Sequence, residues 1–549
     1  MTNAWKAIVR ITLILLTFIG FVSIACSTTQ DFISNNAVPT VSQNSMNAIV
    51  AQTAAAAATQ TAQQIYLSTA TPTPSQTTQA TPTNTFVTGE SSPEYLSSSA
   101  TPIWINGFEI GNPTATPLGS DITDPNFIKG VEAFNADDDQ DAISLMTEVI
   151  TADPNLAPPY RYRATAYWSL KNCASGWTDI EKALSINPNY AAAWVTHGLL
   201  EECTGNGQQA IEDYQKAISI DPSLAFAHQN LAVSYYHQGD YESALQEYSI
   251  AALIDPTRSG AWSGEAEALG QLGQYVECIQ DATTALQVNP EETLAYSDRA
   301  FCELQMDNYS ASAADYQNYV ARYPSDSGAW YNLGLAQNNT GDLQGSIASY
   351  TKALQLKPDY YEAYTNRGYD YNLLGEYQQA LGDFNQAIKL GKDPIAYSGR
   401  GDSYYELAEY EKAIAEYQES LTLLPNNAHC YCFLSFTYFA LGRYQDAIDN
   451  ADKSRAINPD CGGAKLLETE ARSYYALGNY NQGLQYMDQA LAMQPYALGY
   501  YYRGMMYQAA GRKLEAIQDL QEFLATVHGP DKYEKEIADA KARLATLNQ

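Results

Sequence analysis

An all-α repeat solenoid is the fold this sequence predicts, and three observations predict it. Pro154, Pro188, Pro222, Pro256, Pro290, Pro324 and Pro358 follow one another at steps of 34 residues. Between two such prolines lie two runs of helical spacing, Trp194, Gly198 and Glu201 in the first and Ala210, Tyr214 and Ala217 in the second. Gly205 and Gly207 break the chain between the runs, and Asp221-Pro222 closes the second, because proline disfavours helical backbone in the residue before it. Each period therefore reads as two antiparallel helices. Small residues at Gly198 and Ala210 let them approach, and Trp194 and Tyr214 fill the space alongside.

With Trp194, Gly198, Ala210, Tyr214, Ala217 and Pro222 at these offsets, the unit resembles the tetratricopeptide repeat (TPR), and the chain resembles bacterial TPR lipoproteins. The resemblance implies a right-handed superhelical solenoid. Twelve units start at residues 123, 157, 191, 225, 259, 293, 327, 361, 394, 428, 464 and 497, with two residues inserted near Gly462 and Lys392 where the eighth unit calls for proline. The array spans 123–530. After it, 531–549 reads as a capping helix, with Ile537, Ala540, Leu544 and Leu547 on one face beneath a charged surface.

Before the array the chain changes character twice. Residues 1–26 read as an export signal: Lys6 and Arg10, a mostly apolar run from Ile11 to Ile24, then Ala25. Ser23, Ile24, Ala25 and Cys26 are similar to a bacterial lipobox, which implies lipidation at Cys26; the alternative is an uncleaved N-terminal anchor. Both readings predict an exported, membrane-anchored chain whose repeats lie outside the cytoplasm. Residues 27–122, rich in Ser, Thr and Pro, read as a flexible tether. The apolar island 103–110 reads as a strap over the first repeat, or as a peptide lying in the groove.

The 549 residues carry 62 acidic and 30 basic side chains, a formal charge of -32. Two cations before residue 26 and five acids between 27 and 122 leave -29 on the repeats, which argues against nucleic acid as a partner and against a direct hold on anionic membrane. No nucleophile elbow, phosphate-binding glycine loop or zincin helix occurs, so the chain reads as no enzyme and as needing no cofactor. His429, Cys430 and Cys432 cluster, but a structural zinc calls for four ligands, and the group reads as helix-terminal packing rather than a metal site.

Comparing the repeats singles out two sets of residues. Arg163, Arg299, Arg367, Arg400 and Arg503 hold the seventh position of five repeats, and Asp179, Asp315, Asp383, Glu416 and Asp519 the twenty-third, which predicts ion pairs between the two helices of each repeat. Positions five, nine and twelve fall opposite the packing face at 100° per residue and predict an open groove. They hold twelve aromatics: Phe127, Phe134, Trp168, Tyr236, Phe301, Tyr331, Tyr369, Tyr405, Phe436, Phe439, Tyr475 and Tyr501. Only six charges share those positions, Arg161, Arg472, Glu202, Glu267, Asp402 and Glu468.

Seven cysteines follow Cys26. Cys173 with Cys203 is the favoured disulfide, Cys430 or Cys432 with Cys461 the next, while Cys278 and Cys302 read as a disulfide or as small packed residues. The functional expectation is a tethered scaffold that holds protein or peptide segments, basic ones among them, in its groove for cell-envelope assembly or positioning. A glycan-binding module using the same rings, or a scaffold using its convex face, are the rivals.

Overall fold

The computed structural model describes residues 124–391, 393–527 and 533–548. The segments read as an export signal and a tether, Cys26, the apolar island 103–110 and Lys392 lie outside the described residues. Those described form 25 helices and no strand, twelve pairs followed by one last helix. None of the helices is long and apolar enough to cross a membrane.

A typical pair is Ala191–Cys203 and Gly207–Ile220. Gly205, in left-handed backbone at φ 84°, makes the turn between them. The second helix ends at Asp221, whose extended backbone (φ -138°, ψ 95°) suits the proline that follows. Inside the pair, Tyr214 is fully buried against Gly198, where an added Cβ would stand 2.6 Å from the ring. Gly334 and Tyr350 repeat that contact at the same 2.6 Å. Tyr248, Tyr316, Phe384 and Tyr417 fill the same place in their repeats.

The recurring proline also organises the joint between repeats. Trp194, Trp262 and Trp330 each donate their indole N–H to the carbonyl of the proline six residues earlier, at 2.9, 3.0 and 3.0 Å. Tyr160 and Tyr296 reach the corresponding carbonyl with a hydroxyl at 3.3 Å. The proline carbonyl, just past the end of one helix, thus accepts a donor from the first helix of the next repeat.

Each second helix packs on the first helix of the following repeat. First helices of successive repeats also touch, as Ala157–Ser169 does with Ala191–Cys203, whereas no second helix packs comparably on its successor. The first helices therefore line the inner face. The two inserted residues near Gly462 are absorbed in the turn, where Gly462 and Gly463 take φ 74° and 49° and the first helix runs Gly463–Ala476. At the C-terminal end, Glu534–Leu547 lays Ile537, Ala540, Leu544 and Leu547 against Tyr501, Leu520 and Phe523 of the last repeat.

Candidate functional site

The structure brings all five position-seven arginines to their position-twenty-three acids. Arg163 with Asp179, Arg299 with Asp315, Arg367 with Asp383 and Arg503 with Asp519 are two-point pairs with both bonds at 2.7–2.9 Å. Arg400 reaches Glu416 through one nitrogen at 2.6 Å. The aspartates are buried and the guanidiniums nearly so, with tyrosine rings alongside, as Tyr364 and Tyr371 lie 5.6 and 5.9 Å from Arg367. These groups are occupied by one another and hold the two helices of a repeat together.

The inner face is less open than the helical spacing predicts. Of the twelve aromatics, Phe127, Phe134, Trp168, Tyr236, Tyr331, Phe436 and Tyr501 are buried. Phe301, Tyr369, Tyr405, Phe439 and Tyr475 are half-buried. Because successive first helices touch, rings at positions five, nine and twelve are covered by the next repeat. Tyr331 accepts a bond from Asn366 at 3.0 Å, Tyr369 meets Ser398 at 3.0 Å, and Tyr501 donates to Asp539 of the last helix at 2.9 Å. The face is thus a joint between repeats as well as a surface.

Its charges are more informative. Asp402 is engaged by His429 and Tyr417, and Glu468 by Arg472 and Tyr496, while Arg161 is buried. Glu202 and Glu267 have no basic side chain acting on them among the described residues, nor has Asp298 at position six of the next repeat. Burial raises Glu202 above the ordinary carboxylate range, partly offset by the Ser234 hydroxyl, which donates to it at 2.5 Å. Burial pushes Glu267 up to about 7 and raises Asp298 well above its usual range, the charge of Glu267 adding to the second. Tyr236 and Tyr248 stand beside this pair. Asp298 lay outside the groove positions considered in the sequence, and only the packing of neighbouring first helices reveals it.

Cys173 is bonded to Cys203 and Cys278 to Cys302, with Cα separations of 6.5 and 6.4 Å. The second bond decides between the two readings of Cys278 and Cys302. No bond joins Cys430 or Cys432 to Cys461, and these three are thiols. Cys430 Sγ lies 3.3 Å from Ser420 Oγ on the helix below, which turns it away; Cys461 packs beside Cys432, whose thiol bond lowers it to about 6. His429, expected to pack, stacks on Phe433 at 4.4 Å and bonds Asp402. Among the described residues one group has metal-ligand character, His197 with Glu201 and Asp213.

Family models described as tetratricopeptide repeat match residues 303–361, 469–529 and 225–258, and one described as TPR repeat matches 204–239 and 401–442. Among solved structures, the APC/C hetero-tetramer Cut9-Hcn1 is 14% identical over 77% of this chain and 96% of its own, with a TM-score of 0.40. YrrB, a TPR protein with an unusual peptide-binding site, is 21% identical over 34% of this chain and 96% of its own, with a TM-score of 0.32. Yeast Tom70 is 15% identical over 77% and 96%, with a TM-score of 0.31. The stretch 225–258 coincides with one helix pair, Ala225–His237 and Tyr241–Ile254, and the matched stretches of this chain are tetratricopeptide repeats.

Proposed function

We propose that this chain is a non-enzymatic scaffold that holds basic segments of other proteins on its first-helix face. The observation that supports this reading is the group Glu202, Glu267 and Asp298: three carboxylates in or beside the groove, raised by burial, framed by tyrosines and lacking a basic partner among the described residues. A lysine or arginine brought there by a ligand would supply the opposite charge that the chain itself gives Asp383 or Asp519. The charge of -29 on the array would steer such segments from a distance. Phe301, Tyr369, Tyr405, Phe439 and Tyr475 continue the face with half-exposed rings that bury area at little entropic cost. The N-terminal sequence adds the place of work: lipid attachment at Cys26 and a long tether would hold the array at a membrane, outside the cytoplasm, for assembly or positioning of envelope proteins.

Binding of lysine- and arginine-containing peptides to the full chain, read by fluorescence anisotropy against acidic peptides of equal length, tests the reading. Basic peptides should bind, weaken as salt rises, and lose at least tenfold in affinity in a Glu267→Gln, Asp298→Asn double variant, roughly the loss of one charged contact. That variant should fold as well as the parent, since it removes two mutually repelling acids. Equal binding of acidic and basic peptides, or full binding by the variant, would overturn it. Sedimentation with cell-wall material in place of peptide binding would favour a glycan ligand. Cys26→Ser should abolish lipid labelling and release the chain from membranes; retention of both would remove the anchor from the proposal.

A further inference from the structure

We propose that His197, Glu201 and Asp213 bind a divalent transition-metal ion of the zinc class. His197 and Glu201 stand one turn apart on Ala191–Cys203, and Asp213 comes from the partner helix Gly207–Ile220. One donor atom from each lies within 4.8 Å of the others. A four-coordinate zinc with bonds of about 2.0–2.2 Å separates its ligands by roughly 3.3–3.6 Å, so small side-chain rotations close the set around an ion.

An internal comparison shows why these residues depart from the rest of the array. The same three positions in the repeat starting at 293 hold Arg299, Glu303 and Asp315. There the guanidinium bonds both oxygens of Asp315 and feels the charge of Glu303, so a fixed cation serves two carboxylates. In the repeat starting at 191 both acids are present and an imidazole replaces the guanidinium. The swap removes a permanent positive charge and installs a metal ligand in its place. If His197 were only a weaker substitute for arginine, Asp213 alone would suffice as its partner, and indeed His197 Nδ1 lies 2.6 Å from Asp213 Oδ2. Glu201 then keeps its turn contact with Asn206 but loses the cation that Glu303 has in Arg299, at a position where seven of the twelve repeats carry tyrosine.

The surroundings favour a defined ion rather than loose counter-ion attraction. Asp213 is buried, and its carboxylate is fixed by the helix pair. The Asn206 side chain donates to Glu201 Oε2 at 2.7 Å, as Asn308 does to Glu303 at 2.6 Å, so the carboxylate is held at the turn in both repeats. The His197 ring is wedged between Trp177 and Trp194, with centroids 4.7 and 5.6 Å away. Its side chain keeps 20% of its exposure, which leaves solvent access for a fourth ligand. One imidazole with two carboxylates suits zinc, cobalt or manganese, whereas calcium and magnesium take all-oxygen sites.

Titration of the full, metal-free chain with Co2+ tests this, because a paramagnetic ion beside Trp177 and Trp194 quenches their fluorescence. A saturable quench reversed by Zn2+, a weak nitrogen–oxygen ligand-field spectrum and a rise in melting temperature with Zn2+ are expected. Glu201→Gln and His197→Arg should each abolish the quench. His197→Arg recreates the Arg299 arrangement and should melt, without metal, no lower than the parent, which separates loss of the site from loss of the fold. No saturable Co2+ binding, or unchanged binding in His197→Arg, would overturn the assignment. So would the intense absorption of cobalt–thiolate bonds, which would put the ion on the free cysteines, or equal competition by Mg2+.

Discussion

The repeat starting at 361 and the repeat starting at 259 share one backbone plan and treat the same two positions in opposite ways. In the first, Arg367 grips both oxygens of Asp383 at 2.7 and 2.8 Å and donates to Thr351 at 2.8 Å. In the second, position seven is Glu265, and its charge acts on Asp281 at position twenty-three. Burial pushes Asp281 up to about 7, with the charges of Glu265 and Glu277 adding to it. Both repeats fold, because each buries its apolar face chiefly against its neighbours and no single pair is indispensable. The difference extends beyond one repeat. None of the three repeats between 191 and 292 has arginine at position seven, and those repeats contain Glu202, Glu267 and the His197 group. The two disulfides flank the same stretch, Cys173–Cys203 at its start and Cys278–Cys302 at its end. Each disulfide ties this stretch to a flanking repeat that does carry the pair, Cys203 to Cys173 in the repeat of Arg163 and Cys278 to Cys302 in the repeat of Arg299.

The sharpest way to break this comparison is to take the arginine from the repeat that has it. Arg367→Ala would leave Asp383 buried without a cation, and removal of one partner from such a pair costs about 3 kcal/mol, slightly reduced because the Arg367 side chain keeps 15% of its exposure. Burial already raises Asp383 even with Arg367 beside it, so the loss should grow as pH rises from the ordinary carboxylate range toward neutrality and the carboxylate ionises. Denaturant unfolding gives the magnitude, and hydrogen exchange should show the weakening concentrated in 361–391. Glu265→Ala, the matching change in the other repeat, should cause no comparable loss. Equal destabilisation by the two variants would mean that position seven acts through packing alone.

Much of this architecture is legible in the sequence because it recurs. Period, helix pairs, the Gly198–Tyr214 contact and the five arginine–acid pairs are each written several times, so imperfect copies correct one another. What recurrence conceals is distance between neighbouring helices. The 100° rotation predicts an open face for Tyr236 and Tyr331, but it carries no information on how closely the next first helix covers them, and both rings are buried. Departures from the pattern are harder still. His197, Glu201 and Asp298 are informative because they differ from their counterparts, and a search for shared positions passes over them. The cysteines show the same limit: Cys278 and Cys302 are bonded while Cys430 points to Ser420 instead of Cys461, a choice made by side-chain direction rather than spacing.

The reverse experiment installs the missing cation and should have a smaller effect of opposite sign. Glu265→Arg would place a guanidinium opposite Asp281, as Arg299 faces Asp315 one repeat later, and should stabilise by about 1–2 kcal/mol at neutral pH. The pH dependence gives the finer test. An acid whose folded pKa lies above its unfolded value penalises the folded state only when ionised, so the penalty is absent below about pH 4, grows toward pH 7 and is complete above it. Glu267, also pushed up to about 7, carries the same sign, and so does Asp298. Thermal unfolding of the parent should therefore show this region losing stability as pH rises from 5 to 8. Glu265→Arg should flatten that slope without abolishing it, because Glu267 and Asp298 remain. The gap between variant and parent should be small at pH 5 and widest at pH 8. A gap that stays constant across the range would show that the substitution acts through packing and not through the charge of Asp281.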